Sequence, residues 1–312
     1  MTENKKEGML PWLLAWLMVD AMVGVAVTTG EKEIIFPEIA ALVLGGWVAG
    51  RQPWEVNRTK QVLLMTIGSL MGIGFVRFVP LPKLACILLA FSVASVLLIA
   101  FKCTFLPVLS ACILPILLGV SSLVYPVAVI TMTLVVAMVQ KRLEAHELRE
   151  IKGHVPCSFN YRWESVRFAL LFATLAAVGA LALGRGWTFL TAPPLIVGMA
   201  ELSDPESPSG SRWPRVFGMV VVCAAIGAWG RLGLTGALGA PEIVSAAVVM
   251  AGVLVAAWGL KTPFPPAGAI ALLPFLLEPD ALLWYPLQVT VGFALMGGAA
   301  LGVRALGNRC GR

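Results

Sequence analysis

KTPFPPAGAIALLPFLL, residues 261–277, is apolar from Phe264 onward and opens on a double proline, Pro265–Pro266. Proline suits the first turn of a helix, where a missing N–H costs nothing, and breaks a helix anywhere deeper. Three other runs have the same format: 36–50, 104–119 and 190–201, which begin at or near Pro37, Pro107 and Pro193–Pro194. Each is too short to be an ordinary membrane helix. However, about 4–5 extended residues at ~3.3 Å each reach ~15 Å, and a helix of about 12 residues rises ~18 Å. Together they match a hydrocarbon core of ~30 Å. The stretch therefore reads as an extended lead-in followed by a half-helix, able to cross a bilayer.

The composition around it supports a membrane setting. The chain has 312 residues, 59% apolar and 13% charged. A soluble domain has about 45–50% apolar and about 25% charged residues, so a soluble enzyme or nucleic-acid module is excluded. Eight longer apolar runs lie near 10–29, 61–79, 83–101, 123–140, 166–184, 214–230, 242–260 and 284–303. The first is long enough to span. Asp20 interrupts it and no A-x-A-like site follows, so it reads as an uncleaved membrane helix and not as a signal peptide.

Basic residues decide between crossing and re-entry for the short runs. If all four cross, 18 of the 23 Lys and Arg fall on one face; only Lys32, Arg77, Lys83, Arg185 and Arg231 fall on the other. If they re-enter, the split weakens to 14 against 9. Twelve crossings with both termini cytoplasmic follow, in a cell inner or plasma membrane. The basic residues sit in short loops without interleaved aromatics, which argues against nucleic acid as a partner. The lipid bilayer is the expected surrounding, and the sequence does not specify an oligomeric state.

The chain also repeats itself at an offset of 159, which pairs Trp54 with Trp213, Pro82 with Pro241, Lys102 with Lys261, Phe105 with Phe264, Pro107 with Pro266 and Pro115 with Pro274. One insertion pairs Tyr125–Pro126 with Tyr285–Pro286, and a three-residue deletion pairs Pro37 with Pro193. Within the second half, TAPPLIVGMAEL at 191–202 resembles TPFPPAGAIALL at 262–273. The expected fold is an all-α polytopic membrane protein of two tandem six-element repeats. Each repeat is helix, half-helix, helix twice over, as inverted three-element units. The expected boundaries are 1–142 for the first repeat, 143–163 for a cytoplasmic linker and 164–312 for the second. Broken helices inside inverted repeats are a transporter pattern with a site near the midplane.

FPPAGAIALL at 264–273 resembles the HPPAGATALL motif of the HPP family of integral membrane proteins, and APPLIVGMAELSDPESPSGSRWPR at 192–215 is similar to that family's other short motif. The likeness covers about 166–306. In the first half, FLPVLSACIL at 105–114 has lost the glycine and the double proline. The histidine that names the family is Phe264 here, and Phe105 in the first copy. The resemblance implies a transporter fold, and some relatives are linked to nitrite transport.

Half-helix N-termini expose unpaired N–H groups and a partial positive charge, which favour an anion. The expected solute site is lined by Pro266, Ala267, Gly268 and Ala269, with Pro193, Pro194 and Pro107. Small side chains at 267–269 let a ligand approach the backbone. On that reading Gly268→Leu blocks the site with little loss of folding. Asp20 and Glu38 are carboxylates at membrane depth and are the candidates for proton coupling. Lys102 and Lys261 stand where they could steer an anion to the mouth. His146, His154 and Cys157 share one polar loop, but their spacing matches no closed zinc site; no metal and no cofactor is expected. The six cysteines form no CxxC pair and read as buried small hydrophobes. No catalytic motif is present. The leading expectation is a secondary transporter or uniporter for a small anionic solute such as nitrite. The alternatives are a channel-like or structural membrane protein, or a lipid-modifying enzyme built on Asp20 and Glu38.

Overall fold

The computed structural model describes residues 8–50, 52–148 and 160–309; His154, Cys157 and Cys310 lie outside them, as does most of the connection between the expected repeats. Among the described residues there is helix and no strand. Eight helices are long and apolar enough to cross a membrane: α1 (Leu10–Thr29), α3 (Arg58–Phe78), α4 (Lys83–Phe101), α6 (Val124–Ala145), α7 (Tyr161–Arg185), α10 (Trp213–Trp229, continued by π-type turns to Ala237), α11 (Glu242–Gly259) and α14 (Tyr285–Arg309). Side-chain oxygens cap two of them: Asn57 accepts from Lys60 N–H at 2.7 Å and Asn160 from Trp163 N–H at 3.1 Å. Their outer faces carry exposed Leu17, Val96, Met138, Leu183 and Val255, a surface that fits lipid. The chain is an integral membrane protein.

Four short elements alternate with these helices: α2 (Glu38–Val43, continued by a π-type turn through Val48), α5 (Pro107–Leu118), α8 (Pro193–Ser203) and α12 (Pro265–Leu272, continued by a tighter turn to Leu276). Single turns α9 (Pro208–Ser211) and α13 (Pro279–Leu282) complete the chain. Every residue of 35–49, 105–117, 189–203 and 264–275 is buried. The short runs are thus the core, and the long helices form a shell around it.

Glycines let the shell approach that core. A Cβ at Gly72 of α3 would lie 2.5 Å from the Cys112 carbonyl oxygen of α5; one at Gly227 of α10 would lie 2.3 Å from that of Ala271 in α12. At Gly292 of α14 it would lie 2.5 Å from the Leu190 oxygen, just before α8. Lipid tails are as apolar as leucine, so close backbone packing of this kind supplies the attraction between helices.

The loops sort to two ends of the bundle. At the end that carries the α6–α7 connection, called here the linker face, Arg58 pairs with Glu144, Lys60 Nζ donates to Phe101 O at 3.2 Å, and Arg304 donates to Ser207 O at 2.8 Å. At the opposite end Arg77 donates to Ser121 O at 2.6 Å, Lys83 to Leu117 O at 3.0 Å, and Arg231 pairs with Glu242 at 2.7 Å. Leu276, at the end of α12, shares a crevice with Glu33 and Leu118 at this opposite end. The stretches 33–49, 104–118 and 262–276 thus each run from one end of the bundle to the other.

Helix α6 runs to Ala145, held near its end by Gln140, which bonds Gln52 and Glu144, both at 3.0 Å, and by Glu144, which holds Arg58. Helix α7 begins at Tyr161, behind its Asn160 cap. The halves do not separate: α1 packs on α11, α4 on α7, α2 on α12 and α5 on α8. Cys86, Cys103, Cys112 and Cys223 are buried and free.

Candidate functional site

The structure packs together the elements that carry the expected site residues other than Asp20. Elements α2 and α8 each touch both α5 and α12, so Glu38, Pro107, Pro193–Pro194 and Pro266–Ala269 belong to one central group, all buried. They do not leave space between them at Gly268. A Cβ there would lie 2.6 Å from Leu44 Cδ1 and 3.0 Å from Ala40 Cβ, both on α2. The first turn of α12 is filled by its neighbour, so Gly268→Leu cannot be neutral to folding, against the sequence expectation.

Glu38 occupies the first turn of α2 and accepts a hydrogen bond from the Ser110 hydroxyl, in the first turn of α5. Its other oxygen is buried without a partner. The chain thus places its own carboxylate where two positive helix ends converge. Asp20 stands elsewhere. On its helix face Trp16 Nε1 donates to Ala247 O at 2.8 Å, and a Cβ added at Gly24 would lie 3.0 Å from the Ile243 Cδ1 of α11. Residues four apart share a stripe, so Asp20 looks toward α11 with one oxygen buried and unbonded. Glu38 bonds to the first turn of α5, and the helix face that carries Asp20 packs on α11.

Open space lies at the linker face. A vestibule of about 470 Å³ has Ala49, Leu106, Glu201 and Pro263 in its wall, one end of each short element. Around them stand Trp54, Glu55, Thr104, Glu164, Asp204, Glu206 and Arg212. The loops are tied across the cavity: Glu55 N–H donates to Thr104 Oγ1 at 2.9 Å. Arg167, fully buried, pairs with Glu164 at 2.6 Å and donates to Ala200 O at 3.1 Å and Ser203 Oγ at 3.4 Å. It thereby sets a cation at the C-terminal end of α8, where the helix dipole favours one. Glu201, in the last turn of α8, is only 4% exposed. One of its oxygens accepts from Ser209 at 2.7 Å; the other has no partner. The Trp54 indole N–H is likewise buried without an acceptor.

Neither repeat-paired lysine lines this vestibule. Lys102 Nζ lies 5.5 Å from the Tyr161 ring centroid, and the Tyr161 phenol pushes its pKa up. Lys261 contributes its carbonyl to Arg212 at 3.4 Å. The sequence reading missed Glu201 and Arg167. A signal for Glu201 was present: an acid in the last turn of a helix opposes the dipole, so it needs another reason to be there. No family model matches the chain, and neither a curated protein nor a solved structure matches it.

Proposed function

We propose that the chain is a membrane transporter, secondary or uniporting, for a small polar solute. One observation carries this reading: the vestibule wall contains one end of every half-helix, so a solute resting there touches all four moving parts at once. The filled first turn of α12 favours a cycle of opening and closing over a standing channel. The proposed architecture is a tandem duplication of six crossing elements, related by a pseudo-two-fold axis along the membrane normal, with both termini and the linker face cytoplasmic. Paired details support it. Lys102 and Lys261 both adopt left-handed backbone, φ 51° and 49°, after the helices that precede α5 and α12. Tyr125 donates to Ala111 O at 3.0 Å and Tyr285 to Ile270 O at 2.7 Å. Phe36 meets Tyr125 edge-on at 5.9 Å, and Phe189 meets Tyr285 edge-on at 5.5 Å.

Kinship with the HPP family remains part of the proposal, on the two motifs quoted above. Nitrite, the cargo that this kinship suggests, is one of two probes for the test. The other is a cation, because the vestibule is acidic. In proteoliposomes, one of the two should accumulate above protein-free vesicles. Glu38→Gln keeps shape but removes the carboxylate from the α2–α5 junction, and should cut that uptake at least tenfold. Asp20→Asn should leave binding intact and remove the dependence of uptake on a proton gradient. Uptake of neither probe, or wild-type uptake by Glu38→Gln, would refute the transport reading or the role of Glu38 respectively.

A further inference from the structure

We propose that the linker-face vestibule binds an organic cation carrying more than one amine. This deepens the transport reading, on which the role of that cation as cargo rests; the binding site stands without it. Five carboxylates line the cavity, and Arg167 neutralises one of them, Glu164. Among the described lining residues Glu55, Glu201, Asp204 and Glu206 remain, against Arg212, which is exposed and turned to the Lys261 carbonyl. A cleft with this balance concentrates positive ligands.

Glu201 gives the cluster its point of attachment. A buried carboxylate oxygen without a donor costs free energy, and an ammonium supplies the missing N–H groups. Glu55, also in the lining, holds a buried oxygen without a partner, which gives a second ammonium a point of attachment. Trp54, also in the lining, offers an aromatic surface suited to cations. A bare metal ion fits less well. Among the described residues no three His, Cys, Asp or Glu side chains stand close enough to share one. The volume, about 470 Å³, falls within the range of small-molecule sites, ~300–1,000 Å³.

The test is equilibrium binding of radiolabelled putrescine to the full chain in lipid nanodiscs. Saturable binding is expected, at least tenfold weaker in both Glu201→Gln and Glu55→Gln, with nitrite unable to displace the label. Glu55 is only half-buried, so Glu55→Gln decides the matter should Glu201→Gln fail to fold. Absence of saturable binding, wild-type affinity in the folded variants, or displacement by nitrite would overturn the proposal. Binding that depends on Glu55 and Glu201 without uptake of either putrescine or nitrite into liposomes would leave the site standing and sink the transport reading. Nitrite uptake without putrescine binding would do the reverse.

Discussion

Arg167→Met should destabilise the protein by about 3–5 kcal/mol, the usual result of breaking a buried ion pair from one side. The guanidinium is fully buried, holds Glu164 through two N–H groups at 3.0 and 2.6 Å, and reaches the last turn of α8 at Ala200 and Ser203. Methionine fills much of the same volume and supplies none of these donors. Glu164 then loses its buried cation, and the Ala200 carbonyl of α8 loses one of its donors. Removing both charges together, as Arg167→Met with Glu164→Leu, should recover most of the loss, because a well-packed apolar pair replaces a buried ion pair at little cost. Thermal unfolding in detergent, followed by tryptophan fluorescence, checks both variants. Wild-type stability in Arg167→Met would mean that the α7–α8 junction does not depend on this pair.

Gly227→Ala should cost about 3 kcal/mol, at the upper end of the range for overpacking a tight core. The added Cβ would lie 2.3 Å from the Ala271 oxygen and 2.9 Å from its carbonyl carbon. These are backbone atoms in a fully buried half-helix, so α10 and α12 must part. The same helix carries its own control. A Cβ at Gly218 meets nothing within 4 Å, and Gly218→Ala should be neutral or stabilising by up to about 1 kcal/mol through helix propensity alone. Equal unfolding midpoints for the two variants would contradict close seating of α12 against α10.

Much of the fold was legible because proline and length are local signals. Pro107, Pro193 and Pro265 mark the first turns of α5, α8 and α12, and apolar runs locate all eight long helices. What was missed depended on partners far away in sequence. Helix α10 continues to Ala237 through GRLGLTGA, a stretch with no apolar pattern of its own, whose Arg231 pairs with Glu242. The site divides in the same way. The residue types that could bind backbone-first are visible at Pro266–Ala269, but whether their N–H groups face space or another helix depends on Leu44 and Ala40, more than 220 residues earlier. Glu201 looked like part of a family motif. Only the position of the loop carrying Ser209 and of Thr104 and Pro263 turns it into a cavity wall.

Crossing of the membrane by the short segments α2, α5 and α8 is tested most directly by single-cysteine labelling of the intact chain, with Cys157 and Cys310 replaced by serine. Thr59→Cys lies in the first turn of α3, the helix after α2, and Glu206→Cys just beyond α8; His146→Cys marks the linker face and Glu31→Cys the opposite one, all exposed. Labelling by a membrane-impermeant maleimide should place Thr59→Cys and Glu206→Cys on the same side as His146→Cys, and Glu31→Cys alone on the other. Labelling of Thr59→Cys and Glu206→Cys from the side of Glu31→Cys would mean that the short segments turn back, and that the half-helix core does not span the membrane.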